Sequence, residues 1–221
     1  MLTLRSCRRT TRSMTDIRTT GLRERQKEDR RERIIAAAKS LFEKAGIENI
    51  TIEAIAEIAG ISGVTVHNYY GTKSNILLAL VAESDSALID TLARDLVGHP
   101  ENVSELVLRF FDIICAHTLT HLDKAIWRQV ISASVSATEP RFGKLYHELD
   151  DRLAQVLIRE IGRLNDKKMR ITADPVHLGW ALFNVQNARF IEFISNDKTE
   201  QSVVMQYLRN DLEALFPPTS A

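Results

Sequence analysis

Residues 51–73, TIEAIAEIAGISGVTVHNYYGTK, constrain the fold more tightly than any other stretch of this chain. Thr51 offers a hydroxyl to cap a helix start, and Glu53 falls in the first turn, where the helix dipole favours negative charge. Ile50 and Ile55 are spaced for a hydrophobic staple across that cap. Ile52, Ile55, Ala56 and Ala59 recur at helical spacing and make one face apolar. Gly60 ends the helix, because glycine enters the left-handed region without a Cβ penalty. Ser62 caps a second helix, and Ile61 and Val66 repeat the staple. Val66 and one or both of Tyr69 and Tyr70 then point inward, which leaves Gly63, Val64, Thr65, His67 and Asn68 outward. Ala56 is small enough to let the two helices cross closely. The pattern predicts helices over 52–59 and 63–70, with a third opening at Lys73.

Two short helices on a glycine turn are the layout of a helix-turn-helix, which presents its second helix to the DNA major groove. In that setting His67 and Asn68 are candidate base readers, and Asn pairs with adenine through both its groups. Lys73 adds a charge to a helix N-terminus that already attracts anions, so it is a candidate phosphate contact. Arg30, Arg31 and Arg33 admit two readings. They are either part of an arm on DNA or the solvated face of a first helix, interleaved with Glu28 and Glu32.

From about Arg30 to Leu80 the chain resembles the N-terminal DNA-binding head of the TetR/AcrR family of transcriptional regulators. The matching positions are Ala37, Leu41, Phe42, Gly46, Thr51, Ile55, Ala56, Ala59, Gly60, Ile61, Ser62, Thr65, Tyr69, Tyr70, Lys73 and Leu77. The resemblance implies that Thr65, Tyr69 and Lys73 contact phosphates and that residues 63–68 face bases, with Tyr70 in the core. The expected DNA-binding set is therefore Thr51, Ser62, Gly63, Val64, Thr65, His67, Asn68, Tyr69 and Lys73. Two positions depart from the family pattern. His67 stands where the family most often has tyrosine, and Gly63 lies one place before the usual glycine, where Val64 stands. These departures bear on which operator is read, not on the class of function.

A net charge of zero looks wrong for a DNA binder until its distribution is read. Residues 1–75 hold fourteen Lys/Arg against nine Asp/Glu, a surplus of +5 that the remainder balances with −5. A basic head on an acidic body is the electrostatic footprint of a DNA binder with a separate control domain. Helix formers dominate, with nine Gly and five Pro, and no long stretch alternates apolar and polar residues. The expected fold is all-α, about nine helices: a three-helix head and a helical C-terminal domain for effector binding and dimerisation. Three regions follow: a flexible basic arm over 1–22, the head over 23–75 and the body over 76–217. Met14 offers an alternative start that would leave residues 1–13 untranslated.

Beyond the head, Gly98-His99-Pro100, Pro140, Asp174-Pro175, Asn196-Asp197 and Pro217-Pro218 punctuate the chain. Helices are expected at 23–44, 73–97, 102–119, 122–137, 141–164, 175–195 and 200–216, besides the two of the motif. The helix from Lys73 reaches from the head into the body, and the family resemblance implies that it transmits effector binding to head spacing. The 175–195 segment is apolar on two stripes, one with Leu178, Ala181, Leu182, Val185 and Ala188, the other with Trp180, Phe183, Phe190, Ile191 and Ile194. A helix buried on two faces is shared with a partner or buried twice, and a homodimer through 175–195 and 200–216 is the favoured reading.

Cys7 and Cys115 make no disulfide framework or metal spacing, and a reduced cytoplasm suits them. No apolar run reaches the roughly 18 residues of a membrane helix. His117 and His121 stand four apart without an HExxH pattern, so no metal and no cofactor are expected. Trp127, Arg128, Gln129, Ser132, His147, Asn184 and Asn187 are polar or amphipathic insertions in apolar helices, read either as the lining of an effector pocket or as ordinary core and surface residues, and Phe111, Trp127 and Asn184 are the residues expected near that pocket. The sequence holds no G-x-S-x-G, P-loop or G-x-G-x-x-G pattern, which argues against an enzyme. A dimeric repressor, released from a pseudo-palindromic operator by a small-molecule effector, is the leading reading. A small helical enzyme, or a helix-turn-helix used for protein contact, is the alternative.

Overall fold

The structure, a computed structural model, describes residues 14–96, 100–136, 140–166 and 173–217. Among them the chain forms nine α-helices, one short 3-10 turn and no strand. The head holds α1 (Met14–Ala45), the turn Ile47–Asn49, α2 (Ile52–Ala59) and α3 (Gly63–Tyr70). α4 (Lys73–Asp95) joins it to a body of α5 (Val103–His121), α6 (Lys124–Ser136), α7 (Pro140–Asp166), α8 (Pro175–Ser195) and α9 (Gln201–Leu215).

Most helix starts have a local chemical cause. Thr51, Ser62, Thr72 and Asn102 each accept a hydrogen bond from the backbone N–H three residues on. Asp174 accepts from Val176 N and His177 N, at 2.9 and 3.1 Å, and Pro175 follows at the first helical position, where its missing N–H costs nothing. Pro140 likewise opens α7 rather than preceding it.

The largest departure from expectation is at the amino end. α1 begins at Met14, not near Arg23, so residues 14–22 of the expected flexible arm are helical, and residues 1–13 lie outside the described residues. Residues 22–33 are all exposed. Local charge pairing accompanies the helix there, with Arg31 on Glu28 at 3.6 Å and Arg33 on Asp29 at 3.5 Å. Packing starts at Ile34, and Ala37, Ala38 and Phe42 carry it on. Ala45, at the end of the helix, is exposed.

One continuous apolar core runs from head to body through α4. Ile76, Leu77 and Leu80 bury its first half, which packs on α1 and α3. Leu88 and Leu92 bury its second half, which packs on α5 and α7. Two polar contacts fix α4 in the body. The almost wholly buried Asp85 carboxylate faces the Arg152 guanidinium of α7, although burial still pushes its pKa above the usual carboxylate range. Ser84 Oγ meets His117 Nε2 of α5 at 3.0 Å. Burial, with the neighbouring His121 ring stacked at 3.8 Å, lowers the His117 pKa to about 4. The two histidines therefore serve packing, and among the described residues no group of three His, Cys, Asp or Glu assembles around a common point.

α7 and α8 make the closest helix contact in the body. A Cβ at Gly179 would lie 3.1 Å from Ile158 Cα and nearer still to Ile158 Cγ1. Gly179→Ala gains helix propensity worth about 1 kcal/mol. It must also push two backbones apart, and overpacking of that kind costs about 1–3 kcal/mol. The net expected outcome is a lower denaturant midpoint at unchanged m-value, with secondary structure retained in circular dichroism.

Candidate nucleic-acid interface

The helix-turn-helix is assembled by backbone groups that α2 and α3 cannot satisfy alone. Thr51 Oγ1 accepts from Ala54 N at 3.1 Å and starts α2. Ile55, Ala56 and Ala59 turn inward, while Ile58 is left exposed. Gly60 then takes φ 64 and ψ 39, and its N–H, with that of Ile61, returns to the carbonyls of Glu57 and Ala56. The remaining carbonyls are met by a side chain from outside the motif. Arg33 of α1 donates through Nε to Ala59 O at 3.0 Å and through Nη2 to Gly60 O at 3.1 Å. Neither reading of Arg33 in the sequence included this clamp. Only the tertiary fold brings it within reach, 26 residues away along the chain.

α3 presents its outward face to solvent. Ser62 Oγ accepts from Thr65 N at 3.2 Å and lies 2.8 Å from Thr65 Oγ1. Val66 is fully buried and fastens the helix to the core. Thr51, Ser62, His67 and Asn68 are exposed, Val64 is 72% exposed, and Gly63 and Thr65 are half-buried at the edge. Tyr69 and Tyr70 are both half-buried against the core, with ring centroids 6.4 Å apart. Burial raises the pKa of the Tyr70 hydroxyl, so it stays neutral. Asn75 Nδ2 donates to Tyr70 O and closes the turn into α4.

Lys73 does more than the sequence suggested. Its ammonium donates to Ile47 O at 2.9 Å and Glu48 O at 3.3 Å, which satisfies the turn before α2. Two of its three donors are thus used within the protein, and one is left for an anion.

In the body, the expected pocket residues separate. Trp127 lines a small cavity among α4–α8. Phe111 is fully buried in the core and is not part of the cavity wall. Asn184 is exposed on the outer face of α8, away from the cavity. The helix turns Asn187, one of the polar insertions singled out in the sequence, and its neighbour Gln186 to the cavity.

The family model for bacterial regulatory proteins of the tetR family matches residues 34–80, which span the packed part of α1 through the start of α4. This part of the chain therefore carries a tetR-family DNA-binding head. A similar curated protein is the HTH-type transcriptional repressor AcnR of Corynebacterium diphtheriae, 28% identical over 88 residues. That match covers 36% of this chain and 46% of the repressor, so under half of the relative's length is spanned. A TetR transcription regulator from Haloarcula marismortui shares the fold at TM-score 0.69 and 19% identity, over 85% of this chain and 96% of that one. A putative regulator from Saccharomonospora viridis, solved with choline, gives TM-score 0.65 at 21% identity, over 83% and 95%. Thermus thermophilus FadR, a repressor solved with lauroyl-CoA, gives 0.61 at 22%, over 86% and 95%. These likenesses establish that the TetR-family head is followed by a body of the same helical architecture.

The Gly60 turn yields a direct test. An alanine Cβ at φ 64 is strained, and it would sit 2.9 Å from Arg33 Nη2. Gly60→Ala is expected to cost the head about 1–2 kcal/mol, and Gly60→Asn less, because Asn tolerates the left-handed region. Hydrogen exchange of the α2 and α3 amides in each variant checks the order.

Proposed function

We propose that this protein is a dimeric, cytoplasmic transcriptional repressor that reads a pseudo-palindromic operator and is released by a small-molecule effector. The observation that carries the reading is the state of α3: capped, pinned to the core by Val66, and open to solvent at Val64, His67 and Asn68. Such a helix enters the major groove without refolding. Asn68 reads adenine with both amide groups, and Val64 meets a thymine methyl. Thr65, Tyr69 and the spare donor of Lys73 take phosphates and set the register. The AcnR relative is a repressor, which supports the sign.

One head supplies few base contacts, and a twin at fixed spacing multiplies specificity. The surface that supports pairing is the outer face of α8, where Ala181, Asn184, Ala188 and Ile191 are exposed at helix-stripe spacing. The small Ala181 and Ala188 allow a partner helix to come close. Val203 and Tyr207 of α9 are exposed beside them. Arg189 stiffens this face, bonded to both carboxylate oxygens of Asp211, at 2.7 and 2.8 Å, and to Glu192 at 2.8 Å. Asn184 thus acts at the dimer seam in this reading.

Release follows from α4. Its Lys73 end is tied into the head, and its Leu88 lines the body cavity. An effector that binds better to one position of α4 shifts the spacing of the two heads, by no more than its differential affinity. The choline and lauroyl-CoA complexes of structural neighbours support a body that takes small molecules. No helix among the described residues is long and apolar enough to cross a membrane.

Selection from random duplexes should return an inverted repeat with half-site centres about 34–36 Å apart, or a multiple of that. Thr65→Ala weakens binding to every sequence, while Asn68→Ala costs about 1–3 kcal/mol at one base pair per half-site. Affinity that does not fall with rising salt would exclude phosphate contacts and sink the reading. For the pairing face, Ala188→Glu should give a monomer in sedimentation and lose operator affinity. A dimer that persists would move the interface elsewhere.

A further inference from the structure

The body cavity contains two polar groups that nothing in the protein satisfies. Trp127 is 4% exposed and Gln186 is 1% exposed, and both line it. Trp127 Nε1 and Gln186 Oε1 are buried without a hydrogen-bond partner. A buried unpaired donor or acceptor costs about 1–3 kcal/mol, so two in one cavity point to a group that is meant to arrive.

The rest of the wall describes that group. Trp127 and Phe190 meet edge to face, with centroids 6.0 Å apart, and Tyr146 adds a third aromatic ring. The wall holds one carboxyl, Asp150 of α7, and no Lys, Arg or His. Burial raises the Asp150 pKa to about 6, so it is mostly ionised at pH 7.5 yet poorly solvated. A lone desolvated carboxylate among aromatic faces repels anions and attracts a cation. The unpaired N–H and the unpaired oxygen together need one group that both accepts and donates, and a hydroxyl does both.

The geometry points to a compact organic cation bearing a hydroxyl, of the amino-alcohol class, as the ligand of this cavity, with its ammonium on Asp150 and the aromatic rings and its hydroxyl between Trp127 and Gln186. The inference rests on the effector-controlled reading above and gives that effector a chemical class. The space here is about 20 Å³, room for a single water. A ligand must therefore part the walls, and those walls include Leu88 of α4. Entry and movement of α4 are one event.

Calorimetry on the full chain, without DNA, tests the class. The probes are choline, tetramethylammonium and 3,3-dimethylbutan-1-ol, the uncharged carbon analogue of choline. Choline is expected to bind at least about tenfold more tightly than the alcohol, a difference of about 1.4 kcal/mol. Asp150→Asn should erase that preference. Trp127→Phe keeps an aromatic face but removes the N–H, so it should weaken choline several-fold more than it weakens tetramethylammonium. Circular dichroism checks that each variant is folded, and if Asp150→Asn fails to fold, Trp127→Phe and the probe ranking decide. Equal binding of choline and the alcohol would overturn the proposal. So would the absence of heat with any cation at about 10 mM, which would mean that water fills the cavity. If choline binds but leaves operator affinity unchanged, the repressor mechanism fails and the ligand class stands.

Discussion

The fold depends on α4 being buried in two places at once. Its first turns complete the head, and its later turns complete the body. The three-helix head taken alone buries only a small core, so it leans on that helix. The helix also carries the contacts that resist sliding: Lys73 on the 3-10 turn, Ser84 on His117, and Asp85 on Arg152. The buried Asp85 carboxylate tolerates little displacement from the half-exposed Arg152, because loss of that partner leaves it uncompensated. Contacts of this kind favour discrete packed arrangements of α4 over continuous sliding.

The same logic explains the character of the head. Its outer face is nearly free of internal obligations, whereas its backbone is heavily tied. Caps, the Gly60 turn, the Arg33 clamp and the Lys73 pin each satisfy groups that a short helix leaves open. Two eight-residue helices are too short to persist on their own, and tertiary packing with these bonds holds them. The result is a rigid α3 whose exposed side chains are spared structural work.

How far the sequence could be read follows from the range of each cause. The ends of α2 and α3 were legible to the residue, because Thr51, Gly60 and Ser62 act on neighbours three or four positions away. The all-helical fold of nine helices was legible from Pro and Asx breaks. The start of α1 was not, because the segment before Ile34 has no apolar stripe and is accompanied only by exposed charge pairs. The Arg33 clamp and the Lys73 pin join residues about 25 apart, and no local pattern marks them. Asn184 and Phe111 fall outside the wall of the small cavity for a related reason. α8 carries apolar residues on two faces, so its composition does not say which side meets the cavity. Gln186, which does, looks in the sequence like any polar residue of a surface helix.

Arg33 has one more consequence. It sits where the free portion of α1 meets the packed portion, and it grips the carbonyls that end α2. Residues 22–33 form a straight rod about 18 Å long at the helical rise per residue. With its base bolted to the turn that aims α3, this rod cannot swivel independently. Its row of guanidinium and carboxylate groups keeps a constant bearing relative to the recognition surface, like a fixed outrigger rather than a trailing tether.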